Sequence, residues 1–226
     1  MPGLEDFLTK LDSDALSALT EYKFLVDEVS LDYVKGQNVR AEFQQMDVAL
    51  EHDANTGTYI LRGANDSDTT RNSLRIWYLP WKHWDGQNEM SGVSKAVLDN
   101  RGPGLFLTSQ LNGCRFTIQD QSGDGSKVTV LHLAGNYGQN LKGAQARETV
   151  EAASLENVAN AASRRRYSIG QYSKNPKYMK LPNQGVRSYY DGGMATVLGV
   201  RSGGKWQFYA QQYRYDASSF VSTKAL

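Results

Sequence analysis

The chain is poor in the residues that build most catalytic and metal centres. Its 226 residues include one cysteine, Cys114, and three histidines, His52, His83 and His132. A lone cysteine cannot close a disulfide within the chain, so a disulfide framework is excluded. The thiol is expected to stay free, in a reducing compartment. Neither sign of charge is in surplus. The 25 Lys and Arg against 24 Asp and Glu leave a net +1, which gives no basic field for nucleic acid and none for an acidic membrane surface. No run approaches the roughly 20 apolar residues of a membrane helix. Met1-Pro2-Gly3-Leu4-Glu5-Asp6 lacks the basic-then-apolar order of a Sec signal, so any export is expected to use a route without a cleavable signal. Asp47, Asp120 and Asp124 do not have metal-loop spacing. Gly123-Asp124-Gly125 and Gly192-Gly193 open no helix and make no phosphate loop. The residues therefore imply no metal and no cofactor.

Glycine (21) and tyrosine (13) are plentiful, a composition of strands joined by turns. Leu4, Leu8, Leu11, Ala15 and Leu19 recur at helical spacing, with Asp12-Ser13-Asp14 placed to cap a second helix. Strand patterns follow at 22–29, 39–51, 57–63 and 74–81. Residues 85–103 read as mostly loop, with a short helix near Lys95–Leu98. Further strands fall at 105–111, 114–119 and 128–134. Ala146, Val150, Ala153, Val158 and Ala161 share one face of a helix over 144–163, and Arg164-Arg165-Arg166 would end it, where cations complement the helix dipole. Residues 170–187 read as a long polar loop, and 189–201 with 206–215 as a final hairpin. The sum is one α+β domain over 1–226, a mixed β-sheet sandwich flanked by helices.

The chemistry concentrates in the middle of the chain. Asn112-Gly113 separates Leu105–Leu111 from Cys114–Gln119, and such a pair is the strongest short hairpin signal because a type I′ turn needs positive φ twice. In the next hairpin, a register centred on Gly123 pairs Phe116 with Val130 and Ile118 with Val128. It also sets Cys114 opposite His132, with Cβ atoms about 4.5–5.5 Å apart. A thiol beside an imidazole is a nucleophile with its base. The imidazole contact would have to lower the thiol pKa for it to act near neutral pH. Thr108 fits less simply. An ideal hairpin pairs it with Thr117, so either the strand is bulged, or Thr108 offers its backbone carbonyl, or it lies outside the site. A hydroxyl or carbonyl on one ring nitrogen would fix the tautomer of His132.

These residues resemble the CheD-like glutamine deamidases, which include the chemoreceptor deamidase CheD, the catalytic domain of the cytotoxic necrotizing factors and Burkholderia lethal factor. Their shared signature is a Leu-Ser-Gly-Cys tetrad with a histidine downstream, and in the CheD and lethal-factor branches a threonine six residues before the cysteine. Here the tetrad reads Leu111-Asn112-Gly113-Cys114, Thr108 holds the threonine position, and His132 lies in range. Asn112 replaces the serine. Size and threonine spacing are nearest the lethal-factor branch. The resemblance implies a toxin-type hydrolase that converts a glutamine side chain of a protein to glutamate. Cys114 would be the nucleophile, His132 the base, Thr108 its partner, and Asn112 and Gly113 part of the substrate or oxyanion site. It implies a bacterial effector acting in the cytosol of a target cell. The relatives act on a translation-initiation helicase, on Rho-family GTPases and on chemoreceptors. The partner would be a protein with a reactive glutamine, with no nucleic acid, membrane or cofactor involved and no oligomeric state specified.

Two other readings use the same residues. Another cysteine hydrolase or a transglutaminase would need the same dyad. A non-catalytic β-sandwich would bind glycan or protein through the aromatic cluster Trp77–Trp84, with Cys114 a buried structural thiol.

Overall fold

The computed structural model describes residues 4–27, 31, 33–34, 37–38, 43–65, 67–68, 72–139, 141–155, 164–169, 186–190, 193–214 and 220–226. In chain order these form helices α1 (Leu4–Ser13) and α2 (Ala15–Glu21), then strands β1 (Phe24–Val26), β2 (Tyr33–Val34), β3 (Gln37–Asn38), β4 (Gln44–Asp53), β5 (Thr58–Gly63), β6 (Ser73–Leu79), β7 (Val93–Leu98), β8 (Leu105–Thr108), β9 (Arg115–Asp120) and β10 (Val128–Leu133). Helix α3 (Leu141–Ser154) follows, then β11 (Arg164–Ile169), β12 (Val186–Tyr190), β13 (Met194–Ser202), β14 (Lys205–Tyr213) and β15 (Phe220–Ala225). The fold is α+β, as the composition predicts.

Asp14 caps α2 by accepting the Ser17 N–H at 3.0 Å. The buried Leu4, Phe7, Leu11 and Leu19 of the two N-terminal helices cover one face of an eight-stranded mixed sheet, ordered β1-β5-β4-β6-β8-β13-β14-β15. The other face meets a five-stranded sheet, ordered β12-β11-β9-β10-β7. Strand alternation assigns the sides. On β8, Leu107 joins the core under the N-terminal helices, whereas Phe106 joins the core between the sheets with Phe116 and Ile118 of β9 and Val128 and Val130 of β10. Phe106 and Phe116 bridge the gap with ring centroids 6.0 Å apart. Beyond the second sheet, Ala146 and Val150 of α3 pack on Leu131 and Leu133 of β10. The order of layers is helices, sheet, sheet, helix.

Four local expectations are corrected. Residues 93–98 form strand β7, paired antiparallel with β10, and not a helix; a 3₁₀ turn, Glu89–Gly92, precedes it. Asn112-Gly113 does not close a hairpin, because β8 pairs with β6 and β13 while β9 belongs to the other sheet. The segment carries the chain from one sheet to the next, and Gly113 supplies the positive φ of +83° that the turn requires. Third, β9 and β10 pair around Asp124 and not Gly123: Ile118 faces Val130 and Phe116 faces His132. Fourth, the arginine run lies on β11. Arg164 and Arg166 are buried against α3, where Arg166 Nε donates to Glu151 at 2.6 Å and Arg115 of β9 donates to the same carboxylate. Alternation along a strand, and not a helix dipole, places these cations. The expected helix segment 156–163 and the expected loop over 170–185 lie outside the described residues.

Candidate active site

The corrected register moves the thiol but keeps it on the same face. A slip of two residues conserves which side of a strand each side chain occupies; a slip of one would have reversed it. Cys114, one residue before β9, therefore shares the inter-sheet face with Phe116 and His132 and stands diagonal to the histidine. Diagonal neighbours lie about 7–8 Å apart at Cα, farther than the directly opposed pair that the sequence suggests. Among the described residues, His132 Nε2 has no hydrogen-bond partner, so no bond joins imidazole and thiol in this conformer.

Thr108 enters through its side chain. The β6–β8 pairing sets Leu79 beside Thr108. Thr108 Oγ1 donates to the Leu79 carbonyl at 3.0 Å and lies 2.8 Å from His132 Nδ1. A hydroxyl has one proton. With that proton on Leu79, Oγ1 accepts from His132, so Nδ1 carries the ring proton and Nε2 keeps a lone pair. This bond runs from the eight-stranded sheet to the five-stranded one. It gives the imidazole the tautomer a general base needs.

Both titrating groups are enclosed. Burial alone lowers the His132 pKa from 6.5 to about 3. Cys114 is 2% exposed. Burial pushes its thiol from 9.0 up to about 11, opposed in part by the N–H groups of Asn112 and Gly135, the Arg147 cation and the Trp81 indole N–H. The lowered thiol pKa that a nucleophile would need is therefore not what the structure holds: it holds a protonated thiol and a neutral imidazole in the interior.

Around the sulfur the chain is tightly fitted. A Cβ on Gly135 would stand 2.8 Å from Asn112 O, 2.8 Å from Gly113 C and 3.1 Å from Cys114 N, so only glycine allows this approach of the two backbones. Asn112 itself is exposed and contributes its backbone N–H, not its side chain. Gly135, Arg147 and the placement of Trp81 near the thiol are features that sequence reasoning missed, Trp81 being read there only as part of the aromatic cluster. The glycine just after the β10 strand pattern is the one local signal; the other two are brought in by tertiary folding. Ser94 on β7 is a fourth. It faces His132 across the β7–β10 ladder, and its buried Oγ has no hydrogen-bond partner among the described residues.

The aromatic cluster does not form one platform. Trp77 stacks on Phe43 at 4.8 Å, Tyr78 is buried, and Trp84 is buried against Tyr137 at 4.9 Å. Trp81 is the exposed member, edge-on to His83 at 5.7 Å. His52 packs on Tyr59. Among the described residues no group of three or more His, Cys, Asp and Glu side chains is arranged to hold a metal.

No protein-family model matches the chain, and no curated protein matches it. The chain is similar to the crystal structure of the C-terminal domain of CNFy from Yersinia pseudotuberculosis, over 97% of each chain, with a TM-score of 0.42 and 9% identity. That is a distant fold link and assigns no activity.

Proposed function

We propose that the chain is a toxin-type protein glutamine deamidase that uses Cys114 as nucleophile, His132 as general base and Thr108 as the residue that orients it. The observation that carries the proposal is the Thr108 Oγ1–His132 Nδ1 contact at 2.8 Å. It fixes the tautomer and leaves Nε2 basic on the face that also bears Cys114. The tetrad and threonine spacing support the amide substrate.

The shifted pKa values favour one route. A neutral thiol and a neutral imidazole do not begin as an ion pair. As Sγ attacks the glutamine carboxamide carbon, the thiol proton passes to Nε2. Collapse of the tetrahedral intermediate breaks the C–N bond, and Nε2–H returns the proton to the departing ammonia. Water then attacks the thioester, gives its proton to Nε2, and the C–S bond breaks with the proton returning to sulfur. Glutamate remains. On the same reading the protein is a single-domain bacterial effector working in a target cell's cytosol, on a protein such as a translation-initiation helicase or a small GTPase.

Mass spectrometry of target-cell proteins after incubation tests this. Glutamines converted to glutamates are expected with the parent and absent with Cys114→Ser; a serine variant as active as the parent would refute the nucleophile. Incorporation of an added amine in place of water would make the enzyme a transglutaminase. The enclosure of Cys114 favours a second reading, a structural thiol in a protein-binding sandwich. Alkylation decides between them: a Cys114 inert to iodoacetamide in the folded chain, even well into alkaline pH, belongs to the second reading.

A further inference from the structure

Under α3, the outer face of the five-stranded sheet buries more cations than anions. Arg115 of β9 and Arg164 and Arg166 of β11 are all buried there. Arg115 Nη1 lies 2.7 Å from Glu148 and 2.5 Å from Glu151. Arg166 sets its Nε 2.6 Å from Glu151 and its Nη2 3.2 Å from Glu148. Those two guanidiniums occupy the two carboxylates. Arg164 is the third cation. It is 3% exposed, and its Nη1 stands 3.8 Å from Glu151, too far for a hydrogen bond.

What Arg164 leaves open has a definite shape. Among the described residues, its Nε and Nη2 have no hydrogen-bond partner. These two N–H groups form one edge of the guanidinium, the parallel fork that grips two oxygens of a carboxylate or a phosphate. Arg166 Nη1 and the hydroxyl of the fully buried Thr117 have no partner there either. The β9–β11 ladder brings them together. Arg166 stands directly opposite Thr117, Arg164 is diagonal to it, and Thr117 shares its side of β9 with Arg115. An arginine does not shed its proton to relieve burial. Burial lowers the Arg164 pKa in spite of Glu151, whereas at Arg115 burial is outweighed by Glu151 and Glu148 and the pKa is raised. A buried cation with unmade hydrogen bonds is costly, and the partner that would complete it is an anion.

We propose that Arg164, Arg166 and Thr117 form a binding site for a tetrahedral oxyanion, inorganic phosphate being its simplest occupant, which ties β11 to β9 beneath α3. The Arg164 fork donates to two of its oxygens, and Arg166 Nη1–H and the Thr117 O–H donate to others. Four donors from two strands suit a four-oxygen anion better than a planar carboxylate. One added negative charge balances the three guanidiniums against the two carboxylates. Cys114 lies on the inner face of the same sheet, so the site is separate from the thiol and does not need the deamidase reading.

Thermal unfolding of the intact chain in chloride, phosphate, sulfate and acetate at one ionic strength tests this. An anion that binds only the folded chain raises the midpoint, with a dose dependence that follows its occupancy. The parent is expected to gain about 5 °C or more at phosphate or sulfate concentrations far above half-saturation, and little in acetate. Arg164→Met keeps much of the apolar stem and removes the charge and the fork. It is expected to melt in chloride at or above the parent, because an unbalanced buried cation is gone, and to lose the phosphate gain. Should that variant fail to fold, Arg164→Lys keeps the charge without the fork and is expected to lose most of the gain. Phosphate and sulfate also stabilise folded proteins by exclusion from their surface, but that gain is common to parent and variants. A phosphate gain that is equal in parent and Arg164→Met, is kept in full by Arg164→Lys, or is matched by acetate overturns the proposal. None of these outcomes bears on Cys114.

Discussion

Replacing His132 with asparagine and then acidifying both proteins isolates what one buried imidazole does to stability. His132 is fully buried, and burial lowers its pKa from 6.5 to about 3. The sign follows from proton counts. Between those two values the unfolded chain binds a proton that the folded chain refuses, so stability rises with pH through the window. The contribution is complete above 6.5 and is lost as pH falls toward 3. At pH 7 the difference in protonation is small. At about pH 4.5 the unfolded histidine is charged and the folded one neutral, and the linkage integral gives a loss of about 2–3 kcal/mol. Other groups also titrate there, including Asp68, whose pKa the Arg62 guanidinium pulls down to about 2, but they are common to parent and variant. Asparagine keeps an N–H donor near Thr108 Oγ1 and carries no titrating group. Urea denaturation of both proteins at the two pH values is the assay. The parent is expected to lose about 2–3 kcal/mol more than His132→Asn over this interval, a large part of the roughly 5–15 kcal/mol that typically holds a fold. Equal losses would mean that His132 reaches solvent, and the buried tautomer argument would fail with it.

Two further substitutions address the same site. Thr108→Val keeps the shape but removes the acceptor of His132 Nδ1–H; a buried donor left unpaired costs about 1–3 kcal/mol, and glutamine conversion read by mass spectrometry should drop with it, while Thr108→Ser restores both. Gly135→Ala drives a Cβ to 2.8 Å from the Asn112 and Gly113 backbone, which has no flexible side-chain end to give way. A stability loss of about 1–3 kcal/mol, of the size seen for overpacking, is expected; parent-like melting would show that the two backbones are not in contact.

Much of this was legible from residue patterns, and the failures have physical causes. The period-two alternation of Phe116, Ile118, Val128 and Val130 assigns Cys114 and His132 to one face correctly. The same alternation cannot distinguish registers two residues apart, because a slip of two keeps every side chain on its face; matching apolar to apolar favours the wrong one, since the pairing that forms sets Phe116 opposite His132 and Val128 opposite Asp120. The loop between β9 and β10 has positive-φ glycines at both 123 and 125, so turn chemistry does not break the tie. Asn112-Gly113 carries the local signature of a tight hairpin, but β8 finds its partners in β6 and β13, the latter some ninety positions away in sequence, and no local signal reports such pairing. Arg164-Arg165-Arg166 misleads for a similar reason. A basic run after a helical pattern looks like a helix end until Glu151 is known to lie beneath it. Thr108 was legible as a residue but not as a side-chain contact, since its partner belongs to the opposite sheet.

The imidazole and the hydroxyl that orients it are supplied by different sheets. A chain in which the two sheets have not met contains the imidazole and the hydroxyl but not the bond between them. The tautomer of His132 is settled only at docking, when Phe106 meets Phe116 and Thr108 comes within reach. On the proposed reading, the base would therefore depend on how the two layers sit against each other, and a substitution between the sheets far from Cys114 would reach the chemistry through that seam.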